Sequence, residues 1–240
     1  MRTPASVLAD ILRSDPAGPR VTFYEDTPGR TQGERIELSA KTLANWVAKA
    51  GNALQDEYDL GPGSVIRLSL PPHWRALYWA FAAWSVGATV DLTGALPADL
   101  VICDDPDVAQ GAPGTGDIVL VTLDALARVH TGRLPARAMD EARELATHGD
   151  RLVALAEPAP DDLALITDGA RVPFRGVVPE RDWPARVRVG LAGGLAQVLE
   201  ASLAAWALDG SVVLARNGSS AGADARPDRL AAEHVTLNMA

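Results

Sequence analysis

The chain has 240 residues, of which 48% are hydrophobic and 22% charged, with a formal net charge of −9 at pH 7. This hydrophobic content suffices for a buried core and excludes general disorder, and no apolar run approaches the roughly 18 residues of a membrane-spanning helix. The negative charge is spread along the chain, which argues against nucleic acid or an anionic membrane as a partner.

The single cysteine, Cys103, excludes an internal disulfide and fits a reducing compartment. It ends the apolar run Leu100–Cys103, so we interpret it as a small core residue rather than a nucleophile. The first residues form an acidic, amphipathic stretch that does not match a secretory signal. We therefore expect a cytoplasmic protein.

Apolar periodicity predicts alternating helices and strands through the first 92 residues. Ser39 has the type and position of a helix N-cap, and Pro16 limits the first helix. In chain order the predicted elements are a short amphipathic helix over 4–12, strands at 21–25 and 35–38, a helix from Ser39 to Leu54, a strand at 65–70, a helix over 74–84 and a strand at 88–92.

The same pattern continues to the end of the chain. It predicts strands at 100–103 and 118–121, helical patches around 122–129 and 138–148, a strand at 163–167, a helix near 191–207, a strand at 212–214, a flexible loop at 218–222, a short helix at 227–232 and a strand at 234–237. Strands separated by helices favour an α/β fold with a largely parallel sheet flanked by helices on both faces.

A group of aromatic residues follows helical spacing in the third predicted helix: Trp74, Tyr78, Trp79 and Trp84. Such a stripe could form a wall on which a ligand stacks, but helical spacing favours a role in core packing. The four histidines lack paired metal-ligand spacing, and the aspartates near 104–107 do not complete a calcium loop. We assign neither a metal site nor a catalytic residue.

Three passages, 37–65, 70–92 and 161–177, match family motifs in order and spacing. With the elements around them, they resemble the N-terminal domain of the AMP-binding, adenylate-forming superfamily, which includes acyl-CoA synthetases, luciferases and peptide-synthetase adenylation domains. The chain also resembles short stand-alone actinobacterial proteins of about this length. The resemblance implies a single incomplete N-terminal domain over 1–240, with possible sub-units at 1–155 and 156–240.

The resemblance is most informative at 167–177, where the family has the phosphate loop T-S-G-T-T-G-x-P-K-G-V. It implies a nucleotide or anion site formed by Thr167, Asp168, Gly169, Arg171, Arg175 and Gly176. The family's serine and two threonines are replaced by Asp168, Ala170 and Arg171, and its third glycine by Val172. Since charge-assisted hydrogen bonds contribute about 1.5–3 kcal/mol each, these changes predict a loss of a few kcal/mol in ATP affinity. The composition of the loop favours Arg171 and Arg175 as solvated loop residues over anion ligands.

In the family, the adenine contacts, an acidic residue that helps hold magnesium and a catalytic lysine lie beyond the matched stretch. We therefore expect that this chain does not form an adenylate by itself. The first hypothesis is a non-catalytic relative that binds a small anionic ligand or a protein partner, with ATP or AMP as the implied cofactors. The alternatives are an adenylate-forming component completed by a partner, and a structural protein that forms a homodimer through an edge strand.

Overall fold

The computed structural model describes residues 2–110, 117–217 and 227–240. In these ranges the elements are α1 (Pro4–Ser14), β1 (Pro19–Glu25), β2 (Arg35–Ser39), α2 (Ala40–Asp56), β3 (Val65–Ser69), α3 (Trp74–Ser85), β4 (Thr89–Asp91), β5 (Leu100–Cys103), α4 (Pro106–Gln110), β6 (Ile118–Leu120), β7 (Ala138–Asp140), α5 (Glu141–Glu144), β8 (Leu163–Thr167), β9 (Ala170–Pro173), β10 (Arg188–Leu191), α6 (Leu195–Ala207), β11 (Ser211–Arg216), α7 (Pro227–Ala232) and β12 (Leu237–Asn238). Short 3-10 turns cover Leu145–Thr147 and Phe174–Gly176.

The strands form two sheets. Sheet A has the order β12-β10-β11-β1-β2 and sheet B the order β7-β6-β5-β3-β4-β8-β9. Neighbouring strands are parallel except for the β1–β2 and β8–β9 pairs. The predicted α/β class with largely parallel strands is confirmed, although the sequence had indicated one sheet where the structure has two.

Four helices, α1, α2, α3 and α6, pack against one another. α2 and α6 contact strands of sheet A, α3 contacts β3 and β4 of sheet B, and α1 crosses the other three. Because α3 meets protein on every side, its aromatic residues are almost fully buried: Trp74, Tyr78, Trp79 and Trp84. Their prediction as core residues is confirmed, and the indole N–H of Trp84 donates to the carbonyl of Ala164 at 2.7 Å.

Local signals in the sequence determine several element ends. The Ser39 hydroxyl accepts a hydrogen bond from the Thr42 N–H at 3.1 Å, so the predicted N-cap of α2 is confirmed.

Cys103 is buried in a small apolar cluster on sheet B, as predicted. Within the described ranges, none of the helices combines the length and apolarity that a bilayer crossing requires.

The predicted helix at 122–129 is wrong, because side chains from elsewhere bind its backbone. Arg75 donates to the Asp124 carbonyl at 3.1 Å, and the Ala125 N–H donates to Glu34 at 3.4 Å. The Asp124 carbonyl also accepts from the Ala127 N–H at 3.3 Å, which closes one turn that does not continue as a helix. The predicted helix at 138–148 is shorter than expected, since β7 takes its first three residues. The predicted loop at 218–222 lies outside the described residues.

Candidate ligand-binding cleft

The parallel strands β3, β4 and β8 end side by side at the carboxyl edge of sheet B. Open parallel sheets commonly bind ligands beyond this edge. Here a cleft of about 460 Å³ lies between the strand ends and the start of α6. Its lining residues are Leu68, Ser69, Leu70, Pro71, Leu92, Thr93, Thr167, Asp168, Gly194, Leu195 and Ala196.

The start of α6 supplies hydrogen-bond donors to this cleft. The helix is capped by Gly194 without a side-chain hydrogen bond, and its first helical bond runs from Val198 N–H to Gly194 at 3.0 Å. N–H groups of a first helical turn have no acceptor within the helix, and the helix dipole adds positive potential there. This end of the cleft therefore favours an anionic group.

The turn after β4 positions Thr93 on the opposite wall. Its anchor is the buried carboxylate of Asp91, which accepts N–H bonds from Thr93 at 2.8 Å, Gly94 at 3.0 Å and Leu96 at 3.0 Å. Burial alone would raise the pKa of Asp91, but these hydrogen bonds outweigh it and the pKa is lowered. Asp91 is therefore ionised near neutral pH and holds the turn in one conformation.

The segment predicted as a phosphate loop is a β-hairpin followed by a 3-10 turn. Thr167 pairs with Ala170 across the two-residue turn Asp168-Gly169, and Ile166 pairs with Arg171. The loop interpretation of 170–173 is thus corrected, because the Arg171–Val172 backbone pairs with β8. A second cleft of about 470 Å³ shares Thr93, Thr167 and Asp168 with the first and is also lined by Ile166 and Arg171.

The structure separates the two arginines that the sequence placed in one site. Arg171 lines the second cleft, and among the described residues no carboxylate forms an ion pair with it. Arg175 instead pairs with Asp161, while its backbone N–H donates to Pro160 at 2.9 Å. Thr167, Asp168, Gly169 and Arg171 therefore line the clefts, whereas Arg175 and Gly176 line neither.

Neither Thr93 nor Gly194 was predicted from the sequence as a cleft residue. Gly193 and Gly194 precede an apolar helix, and Thr93 and Gly94 follow a buried strand. Those patterns mark a helix start and a turn, but only the sheet topology brings them next to Thr167.

A buried ionic network, also unforeseen, lies outside the cleft. Arg75 donates to Glu141 at 2.9 Å and Tyr78 donates to the same carboxylate oxygen. Burial raises the pKa of Glu141 despite the neighbouring guanidinium, and burial together with the Glu141 charge raises that of Tyr78. Because the network connects the start of α3 to α5, we assign it a structural role.

One known protein is clearly related to this chain in sequence. No family model matches the chain. Over 170 residues it is 40% identical to a TIGR03089 family protein of Mycobacterium tuberculosis, an alignment that spans 67% of this chain and 68% of that protein.

Solved structures share the fold at low sequence identity. An acyl-CoA synthetase of Brucella canis matches 99% of this chain with a TM-score of 0.73 and 17% identity. The nonribosomal peptide synthetase FmoA3 matches 98% with a TM-score of 0.71 and 19% identity. The N-terminal domain of FACL13 from Mycobacterium tuberculosis matches 99% with a TM-score of 0.67 and 13% identity.

The chain spans 47% of the length of the Brucella canis enzyme, 25% of FmoA3 and 62% of the FACL13 domain. These likenesses show that the fold is that of the N-terminal part of acyl-CoA synthetases, and they bear out the resemblance seen in the sequence. By its similarity to the mycobacterial relative, the chain belongs to the TIGR03089 family.

Proposed function

We propose that this protein is a binding relative of the acyl-CoA synthetases that holds a small anionic ligand and forms no adenylate by itself. The observation that carries the proposal is that Thr167, Asp168 and the start of α6, which has no side-chain cap, line one cleft together. Donors at the helix start can receive a carboxylate or a phosphate monoester.

Asp168 gives the cleft a preference for ligands of low charge. The Asp168 side chain is exposed at the hairpin turn, at the position where the family's phosphate loop has a serine. At an assumed separation of about 7 Å in water, each ligand charge meets about 0.6 kcal/mol of repulsion. A triphosphate with about four charges would lose roughly 2 kcal/mol, whereas a monocarboxylate would lose about a quarter of that.

The apolar walls support a ligand with a small hydrocarbon portion. Leu70, Leu92 and Leu195 line the cleft beside its polar end. An acid with a short alkyl chain would place its carboxylate at the α6 N–H groups and its chain against these leucines. We therefore favour a short-chain carboxylic acid over a nucleotide.

Thermal unfolding with added ligand tests the proposal. The panel contains short-chain carboxylic acids, AMP and ATP, measured with the native chain and with Asp168→Ser. Asp182→Ser is the matched control, since Asp182 is exposed and does not line the cleft. A ligand at 100 times its dissociation constant stabilises by about 2.7 kcal/mol. If short-chain acids at millimolar concentration leave the melting temperatures of the native chain and of Asp168→Ser unchanged, the proposal is wrong.

A second candidate, an adenylate-forming component completed by a partner, is favoured by one observation. The chain keeps the fold of the Brucella canis acyl-CoA synthetase over 99% of its length. ATP–pyrophosphate exchange measured with the chain alone and with fractionated extract of its own cell distinguishes the two. Exchange that appears only with extract and disappears when the chain is omitted would favour the component.

A further inference from the structure

A cavity of about 650 Å³ lies at the edge of sheet A where the parallel strands β12, β10, β11 and β1 begin. Much of its lining comes from the segments just before these strands: Asp15 and Gly18 precede β1, Asp209 precedes β11, Arg186 precedes β10 and His234 precedes β12. It shares no described residue with either cleft of sheet B, and we call it the amino-edge cavity.

Charged side chains of both signs line the amino-edge cavity. Three arginines are balanced by three carboxylates: Arg20, Arg186, Arg188, Asp15, Asp209 and Glu233. Because these lining charges cancel, the cavity is complementary to a ligand that itself carries charges of both signs.

Two of the arginines are committed to the fold. The Arg20 side chain is 5% exposed, forms an ion pair with Asp209 at 2.8 Å and donates to two backbone carbonyls at 2.7 and 3.0 Å. The Arg188 side chain is 15% exposed, pairs with Glu233 at 2.6 Å and donates to the Ser211 hydroxyl at 3.1 Å. These inner pairs therefore hold the cavity wall together and leave little capacity for a ligand.

The outer charges, Arg186 and Asp15, keep hydrogen-bonding capacity. Arg186 is 80% exposed, and among the described residues its ion pairing is limited to Nε with Asp209 at 3.3 Å, so its two terminal nitrogens are available. Asp15 accepts the N–H groups of Ala17 and Gly18 through Oδ1 at 3.1 and 2.9 Å, and no described residue donates to its Oδ2. Gly18 makes room for this Oδ2 atom, which would lie 2.6 Å from a Cβ there.

Three residues of the cavity have a backbone conformation that ordinarily favours glycine. The φ angle is 59° at Arg186, 59° at Asp209 and 51° at His234. They are three of the five non-glycine residues with positive φ in the described part of the chain, and all three line this one cavity. Glycine would fit such positions with less strain, and strained residues cluster at ligand sites. Side chains at these positions are explained if they contact a ligand.

The strand order sets the distance between the two outer charges. β11 separates β1 from β10, and neighbouring strands lie about 4.8 Å apart, so Asp15 and Arg186 are anchored about 10 Å from each other. A free α-amino acid carries its two charges on one carbon atom and is too short to contact both side chains. An extended peptide gains about 3.3–3.6 Å per residue, so two or three residues span the distance.

We propose that the amino-edge cavity binds an elongated zwitterion, such as a short peptide with free termini. Its ammonium group donates to Oδ2 of Asp15, and its carboxylate accepts from the terminal nitrogens of Arg186. The exposed His234 ring lies on the same side as Arg186 and supplies a further donor. This site is separate from the cleft of sheet B and does not depend on the function proposed for that cleft.

An NMR titration of the ¹⁵N-labelled chain tests the proposal. The probes are triglycine, N-acetyl-triglycine, which lacks the ammonium group, and triglycine amide, which lacks the carboxylate. Triglycine at millimolar concentration should shift the amide signals of Gly18, Arg188 and Ser211. Blocking either terminus should weaken binding about 5-fold, as expected for loss of one solvent-exposed ion pair.

Two further probes define what is recognised. Glycine should bind at least about 5-fold more weakly than triglycine, because it reaches only one of the two charges. If 6-aminohexanoate, which has no peptide bond, binds as tightly as triglycine, the separated charges are recognised rather than the peptide backbone. Glycine that binds as tightly as triglycine contradicts the proposal.

Conservative substitutions assign the two contacts. Arg186→Gln should bind triglycine and triglycine amide equally, while acetylation still weakens binding. Asp15→Asn, which keeps the oxygen that accepts the backbone N–H groups, should show the reverse pattern. Arg151→Gln and Asp182→Asn are the matched controls, since both residues are exposed and neither lines the cavity.

The cavity signals decide the outcome. If millimolar triglycine leaves the signals of Gly18, Arg188 and Ser211 unchanged, the proposal is overturned. It is equally overturned if each blocked terminus weakens binding to Arg186→Gln and Asp15→Asn as much as to the native chain.

Discussion

Glu233 joins α7 to sheet A, and its replacement has a calculable effect on stability. Its carboxylate accepts hydrogen bonds from Tyr24 at 2.5 Å, Arg35 at 2.9 Å and Arg188 at 2.6 Å, and its side chain is 11% exposed. Burial acts to raise its pKa, but these three partners outweigh burial and lower the pKa to about 2 from the ordinary value of 4.5. The folded state therefore favours the ionised carboxylate.

A lowered pKa in the folded state contributes stability that is present above the unfolded pKa and lost as the pH falls toward the folded one. A difference of about 2.5 in pKa corresponds to at most about 3.4 kcal/mol. Because Arg35 is partly exposed, solvent screening reduces this, and we expect Glu233→Gln to cost about 2 kcal/mol at pH 7.

Urea unfolding of the native chain and Glu233→Gln, at pH 7 and near pH 3, measures this effect. The difference in free energy of unfolding should shrink to about 0.8 kcal/mol near pH 3, where the unfolded carboxyl is protonated and the folded one is still mostly ionised. Glu200→Gln is the control, since its ion pair with Arg181 is about half exposed and should matter little at either pH. A Glu233→Gln difference that is absent at pH 7, or equal at both values, would refute the reasoning.

Three further substitutions test the packing by urea unfolding. Gly210→Ala should cost about 3 kcal/mol or abolish folding, because its Cβ would lie 2.3 Å from the Val187 carbonyl oxygen, whereas Gly169→Ala, with open space around it, should be neutral. Ser39→Ala should lower stability by about 1 kcal/mol through loss of the α2 N-cap, and an equal stability would contradict that role. Arg75→Met should cost about 3–5 kcal/mol by leaving the buried Glu141 unpaired. The double variant R75M/E141M should recover most of that loss, so a double variant as unstable as the single one would count against the ion pair.

Periodicity and caps were sufficient to predict elements that depend on local chemistry. The strand at 163–167, the Ser39 cap and the buried aromatic stripe of α3 were each predicted correctly, because alternation and helical spacing depend on neighbouring residues. The helix at 122–129 failed because Arg75 and Glu34, distant in sequence, bind its backbone.

The candidate site was predictable in part. The resemblance to the family's phosphate loop indicated Thr167, Asp168, Gly169 and Arg171, which do line the clefts. The contribution of Gly194 and Thr93 depends on which strands are adjacent in sheet B, and the pairing of Arg175 with Asp161 depends on how the chain turns after β9. Neither relationship is local, so the sequence pattern could not reveal it.

The central claim, that the cleft binds a small anion and that Asp168 selects against high charge, is tested most directly by calorimetric titration. The native chain and Asp168→Ser are each titrated with a short-chain carboxylate and with ATP. The account predicts that the native chain binds the carboxylate, and that Asp168→Ser gains about 30-fold in ATP affinity but only about 2- to 3-fold in carboxylate affinity. Equal gains for the two ligands, or no carboxylate binding by either protein, would contradict it.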